Sequence, residues 1–392
     1  MREAAEAART WLVERALPLW GTAGVDESGS FHERLDFDGR PDLAAPRRLR
    51  VQARQLYVFS EAAVRRPAIA HKGLEPGIGH VPRGSPPAAD GRLGEHIELA
   101  GLLHVLAPDR SPLDLTRDAY DHAFGLYCLA WYYKASGSPR ALALAHEMLD
   151  FLERDMADPI HGGFLESLPS VLPRRSDPHM HLLEAMLEWS EADGDARFLS
   201  VAARLVALFE TRFFDEATGT LGEYFGADLR PSGPEGQVTA PGHHFEWCWL
   251  LDWARRLGAG DATAKGDRLY HFGARHGLDA RGFAIDETDR QGRQVRRSRR
   301  AWPQTELIKG HLYRARRGQA EAAEAAAKVT LDFLHSYLAT DVPGLWMDQF
   351  DEAGRGITPY VPSTTLYHVQ VAFRELVLFA EDAAKTRAQK SG

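Results

Sequence analysis

The chain has 392 residues, is 44% hydrophobic and carries a formal charge of −8 at pH 7. That length suits one large domain or two ordinary ones, and the mild negative charge argues against a nucleic-acid partner. Cys128 and Cys248 lie in apolar helical runs with no CxxC or zinc-finger spacing, so they read as reduced core residues of a cytoplasmic protein.

Residues 1–20 are charged and amphipathic and lack the uncharged run of a signal peptide. No window is apolar for long enough to span a bilayer. Apolar residues at three- and four-residue spacing predict helices over 11–20, 49–63, 119–133, 141–152, 182–189, 198–209, 247–257 and 331–338. Short breakers, such as Gly137-Ser138-Pro139, Asp193-Gly194-Asp195, Gly258-Ala259-Gly260 and Arg317-Gly318, join several of them as antiparallel neighbours. Residues 71–92 are rich in Gly and Pro where an outer helix is expected, as a long loop that either covers a site or is a passive insertion. The polar stretch 384–392 predicts a frayed tail.

A second kind of connection begins with glycine and then alternates apolar and polar residues, like a small β-ribbon. Copies start at Gly29, Gly101, Gly163, Gly219, Gly282 and Gly344, mostly about 60 residues apart, which is a repeat signature. Pro46, Pro178, Pro241, Pro303 and Pro362 follow most ribbons and precede a helix. The unit is ribbon, helix, short turn, helix. Six units predict an all-α fold, an (α/α)6 barrel in a single domain over 1–392, with an open solenoid as the alternative.

Polar residues recur at one level of the inner helices: Arg54, His122, His181, His243 with Glu246, Glu306 and His368. Buried polar groups need partners, and a shared cavity at the mouth of a ring supplies them together. In Pro241-Gly242-His243-His244-Phe245-Glu246-Trp247, proline suits a helix start, and His243 and Glu246 share one face of the first turn. They form either an acid–base pair or the polar tip of a capped core helix. No Ser-His-Asp order, P-loop or dinucleotide fingerprint is present, so no cofactor is expected. The pairs His179/His181 and His243/His244 are not three or four apart, so no metal is expected either. Trp302, Tyr367 and Phe124 suit sugar faces or fill the core. The basic run Arg293, Arg296, Arg297, Arg299 and Arg300 either attracts a phosphate or sulfonate or is a solvated loop.

Six stretches carry a resemblance: 48–55, Tyr120-Asp121-His122-Ala123-Phe124, 178–185, 241–247, Trp302-Pro303-Gln304-Thr305-Glu306 and Tyr367-His368-Val369. Together they resemble the N-acylglucosamine 2-epimerase family, which includes mannose isomerases, sulfoquinovose isomerase and cellobiose 2-epimerases. The resemblance implies the (α/α)6 barrel and metal-independent proton transfer at a sugar C2. It implies that His243 and His368 are the acid–base pair and that Arg54 polarises O1 or O2. It makes His181 and Glu246 orienting and hydroxyl contacts, with His181 a candidate for ring opening, and puts Tyr120, Trp302 and Glu306 in the pocket lining. Asp177 stands where family members often carry Asn; it either repels anionic substrates or caps its helix. The expected activity is aldose–ketose isomerisation, D-mannose to D-fructose. The alternatives are a 2-epimerase, an isomerase of a phosphorylated or sulfonated hexose, a glycoside hydrolase using Glu246 and Glu306, and a helical-repeat binding protein. The expected partner is a monosaccharide, with neither nucleic acid nor membrane, and a homodimer is compatible with this reading.

Overall fold

The computed structural model describes residues 1–70, 97–98 and 101–391; the long loop expected over 71–92 lies outside them. Eleven α-helices organise the described residues. They are α1 (Arg2–Trp11), α2 (Leu49–Ala70), α3 (Ala119–Ser136), α4 (Pro139–Phe151), α5 (Asp177–Ala192), α6 (Ala196–Leu208), α7 (Pro241–Leu257), α8 (Thr263–His276), α9 (Trp302–Arg316), α10 (Ala320–Ser336) and α11 (Thr365–Ser391). A π-helical turn, Leu12–Ala16, and a last turn, Leu17–Trp20, prolong α1. The final helix runs through the polar stretch for which the sequence predicted a frayed tail.

Six helices form an inner ring: α2 packs on α3, α3 on α5, α5 on α7, α7 on α9, α9 on α11, and α11 back on α2. Outside it, α4 packs on α3, α6 on α5, α8 on α7 and α10 on α9, while α1 lies against both α10 and α11. Sequence decides which layer a helix joins. The outer helix α6 buries one stripe, Phe198, Val201, Ala202, Leu205 and Val206, as a one-sided helix should. The inner helix α3 is buried almost throughout from Ala119 to Tyr132, because neighbours cover every face. No helix among the described residues is long and apolar enough to cross a membrane.

Backbone pairing closes the ring and excludes the open solenoid. The strand entering each inner helix pairs with the ribbon of the next unit: Arg47–Arg48 with Val105–Leu106, Arg117–Asp118 with Ser167–Leu168, Arg174–Arg175 with Tyr224–Phe225, and so on through Arg299–Arg300 with Gln349–Phe350. Val361–Pro362 of the last unit then pairs with Arg34–Leu35 of the first.

One hydrogen bond recurs through this architecture. A side chain early in the inner helix accepts the backbone N–H of its own unit's ribbon. Gln52 accepts from Phe31, His122 from Leu102, His179 from Phe164, His244 from Leu221 and Gln304 from Ala284, all at 2.8–3.1 Å. This pin satisfies a buried donor that no sheet ladder reaches. Burial holds the three histidines of the set neutral, at about 4 for His122 and His179 and about 3 for His244.

Candidate active site

Two residues beyond each pin stand Arg54, Phe124, His181, Glu246 and Glu306, and His368 holds the equivalent place in the last unit. A two-residue step turns a helical side chain by about 200°, so pins face the ribbons and this second set faces the ring axis. A cavity of about 300 Å³ lies at the N-terminal mouth of the inner helices. It is lined by Arg54, Tyr120, Asp177, His181, His243, Glu246, Trp302 and His368, all anticipated from the sequence. Arg175, Glu223, Tyr224, Glu287 and Arg300 also line it.

Two expected residues fall elsewhere. His122 is a pin: its Nε2 accepts from Leu102, its Nδ1 donates to the Asp118 carbonyl, and its ring stacks on Phe151. Glu306 is fully buried behind the cavity, where it accepts a hydrogen bond from His368 Nδ1 at 2.9 Å. Glu246 and Glu306 therefore do not face the cavity as a hydrolytic pair. The basic run is neutralised: Arg293 pairs with Asp289, Arg296 with Glu287, Arg297 with Glu352, Arg299 with Asp279 and Arg300 with Asp286.

Both histidines of the expected acid–base pair are oriented through Nδ1. His243 Nδ1 donates to Glu223 at 2.9 Å, and its Nε2 faces Asp177 Oδ1 at 3.7 Å. His368 Nδ1 donates to Glu306, leaving Nε2 for a ligand. The Trp302 ring lies against both imidazoles, with centroids 4.9 Å from His243 and 5.7 Å from His368. Gly242 permits this: a Cβ there would sit 2.5 Å from the Trp302 ring. His181 meets Asp177 at 3.4 Å and Glu184 at 3.2 Å. Asp177 makes no cap; it ties His181 and His243 together. Arg54 donates to the Tyr120 hydroxyl at 2.5 Å and lies over Phe124 at 4.1 Å.

The electrostatics divide the histidines. Burial opposes charge on His243, but Glu223, Asp177 and Glu246 outweigh it and raise the imidazole to about 9. Burial is likewise outweighed at His181, where Asp177, Glu184 and Glu246 raise it to about 9. His368 moves the other way. Burial, reinforced by Arg54, Lys309, His181 and His243, pushes it well below 6.5. At neutral pH the cavity thus presents two imidazolium groups and one neutral imidazole.

Among the described residues four clusters bring metal-ligating atoms together, and two of them, His181/Glu184/Glu246 and Glu246/Glu306/His368, include residues of the cavity lining. His181, Glu184, Glu306 and His368 are each held by hydrogen bonds or ion pairs, whereas neither oxygen of Glu246 accepts a hydrogen bond. Lys309 Nζ lies 2.6 Å from Glu306 and 3.6 Å from Glu246, in the position a cation would take. Burial disfavours its charge, and Glu306, Glu246 and Glu184 more than offset that. Glu184 accepts from the Tyr367 hydroxyl as well as from His181.

Glu223 is the principal residue the sequence reading missed, because it sits on a ribbon rather than an inner helix. A signal existed: Glu33, Glu166, Glu223, Asp286 and Asp348 recur three or four residues after their ribbon glycines.

Comparison with known proteins agrees with this geometry. The profile of the family described as N-acylglucosamine 2-epimerase (GlcNAc 2-epimerase) matches residues 29–372. The mannose-6-phosphate isomerase of Rhizobium meliloti is 34% identical over 387 residues, spanning 93% of this chain and 95% of that one. The cellobiose 2-epimerase of Bacteroides fragilis is 26% identical over 361 residues, spanning 86% and 88%. Among solved structures, the cellobiose 2-epimerase from Spirochaeta thermophila aligns with a TM-score of 0.83 at 26% identity, covering 98% of both chains. With the profile spanning most of its length, the chain belongs to the N-acylglucosamine 2-epimerase family and is one of its sugar isomerases or epimerases.

Proposed function

We propose that the enzyme converts an unphosphorylated aldohexose, D-mannose, to its ketose, D-fructose, by metal-independent proton transfer through a cis-enediolate. One observation carries this reading: a single cavity receives a neutral and a charged imidazole, each aimed by an acidic side chain on its Nδ1. A proton next to an aldehyde is weakly acidic, so its removal needs a base and a stabilised oxygen. His368 Nε2 is the base that takes the C2 proton and returns it to C1. Arg54 supplies fixed positive charge to the enediolate oxygens, aided by the converging helix N-termini. His243, as imidazolium, is the acid that exchanges a proton with those oxygens. His181, tied to Asp177, is placed to assist ring opening, and Tyr120 and Trp302 line the sugar's path.

Two of the three cavity arginines are already held by acids, which favours a neutral hexose. Arg300 is already paired with Asp286, and Arg175 with Glu166. Four carboxylates, Asp177, Glu223, Glu246 and Glu287, line the same space and would repel a phosphate. The 34%-identical relative is named for a phosphorylated substrate, so the phosphate ester belongs in the assay. A second reading, 2-epimerisation, draws on the charged state of His243: an imidazolium facing the other side of C2 would return the proton there.

The test is a panel of D-mannose, D-glucose, cellobiose, N-acetylglucosamine and mannose 6-phosphate, with products identified by chromatography. Fructose formed from mannose at the highest kcat/KM supports the proposal. A C2 epimer as main product supports the second reading. Preferred turnover of the phosphate ester overturns the argument from the arginines.

A further inference from the structure

The internal repeat contains a second recurring contact, shared by three units, and one of the units that lacks it lies beside His243. In three units the ribbon acid grips the residue four positions before the pin through both backbone and side chain. Glu166 accepts from Arg175 N at 2.9 Å and from Arg175 Nε at 2.5 Å. Asp286 accepts from Arg300 N at 3.0 Å and Nε at 3.1 Å. Glu33 accepts from Arg48 N at 3.5 Å and Nε at 2.5 Å. In the fourth unit the same position is Ala240. Glu223 keeps the backbone half of the contact, accepting from Ala240 N at 3.0 Å. Its other oxygen, with no arginine side chain to hold, accepts from His243 Nδ1 instead.

We infer that Glu223 is the positioning residue of His243 and that Ala240, by breaking the repeat's arginine–acid pair, releases it for that role. A carboxylate on Nδ1 holds the imidazole in one orientation and one tautomer, with Nε2 toward the ligand. An arginine at 240 would compete for the same oxygen with a stronger, bidentate partner. Other groups also face His243: Asp177 from α5, which it shares with His181, Glu246 from its own helix, Trp302 from α9 and His368 from α11. Asp177 and Glu246 remain in any Glu223 variant, so only the part that Glu223 contributes is removed.

The inference rests on the catalytic reading of His243, but one arm of its test does not. The His243 ring is followed by NMR in protein carrying ¹³C-histidine, its resonance assigned with H243N. In the parent its titration midpoint lies at about 9. In E223Q and in A240R the midpoint falls by roughly 1–2 pH units, the scale of losing one adjacent charge. E166Q, which alters the same contact in another unit, leaves it in place. Turnover of mannose follows: kcat of E223Q and A240R drops at least about 10-fold with a smaller change in KM, and the alkaline limb of kcat/KM moves down with the midpoint. An unmoved midpoint in both variants overturns the inference. A moved midpoint with undiminished turnover upholds the orientation and sinks the acid role given to His243 above.

Discussion

Replacing His122 separates the pins from the site, since sequence alone put it among the cavity residues. In the folded protein His122 is neutral, with Nε2 holding the Leu102 N–H at 3.0 Å. H122A strands that donor, at a cost of about 1–3 kcal/mol, and also loses the stacking on Phe151. H122Q keeps an acceptor, as Gln52 and Gln304 do in their own units, and its stability at pH 7.5 stays within about 1 kcal/mol of the parent. Acid separates the two proteins. The folded imidazole binds its proton only near pH 4, whereas the unfolded one binds it near 6.5. The unfolded state therefore holds more protons below 6.5, and stability is lost as pH falls toward 4. At about 1.4 kcal/mol per pH unit, the parent loses about 2 kcal/mol through this residue between pH 6.5 and 5. H122Q lacks that loss. Urea unfolding at pH 7.5 and pH 5 measures the difference, with initial rates on mannose as a second readout. The reasoning fails if H122Q is as acid-sensitive as the parent, or if it folds normally but loses most of its kcat.

The tight approach of Gly242 to Trp302 predicts that G242A displaces the indole, since a new Cβ would lie 2.5 Å from the ring. The expected outcome is a shifted Trp302 fluorescence signal, a raised KM for mannose and about 1–3 kcal/mol of overpacking cost. Because the Lys309 ammonium already lies between Glu306 and Glu246, dialysis against EDTA should leave kcat unchanged, and added Zn²⁺ or Mn²⁺ should not raise it. Activity restored only by a metal would contradict the proton-transfer mechanism as drawn.

Much of the architecture was legible because the repeat is written in residues that pack or turn. The ribbon glycines, the helix-opening prolines and the apolar runs announced the six units, and the strand pairing from Arg34 to Pro362 supplied only the closure. Helix α8 was the least visible. Gly266 and Gly273 replace apolar side chains where it meets α7, and Phe245 packs within 2.8 Å of where a Gly273 Cβ would stand. A small residue at a contact is as buried as a leucine but adds nothing to a hydrophobic period. Within the site, Arg54, His181, Glu246 and His368 were readable because polar residues interrupt apolar helices there. His122 was misassigned because a helix carries two polar registers two residues apart, and spacing from the ribbon glycine does not separate a side chain that pins the ribbon from one that faces the axis. Glu223 went unread because its partner is chosen by what its neighbour lacks: only the absence of arginine at Ala240 turns it toward His243.

Isomerisation of D-mannose in D2O, followed by NMR of the recovered sugars, addresses the central claim most directly. If His368 carries the C2 proton of a bound hexose on Nε2, that proton exchanges with solvent in competition with its return, so deuterium appears at C1 of part of the fructose, and H368Q abolishes both product and label. Fructose that accumulates over many turnovers with no deuterium on carbon, or that forms at an unchanged rate in H368Q, would contradict it.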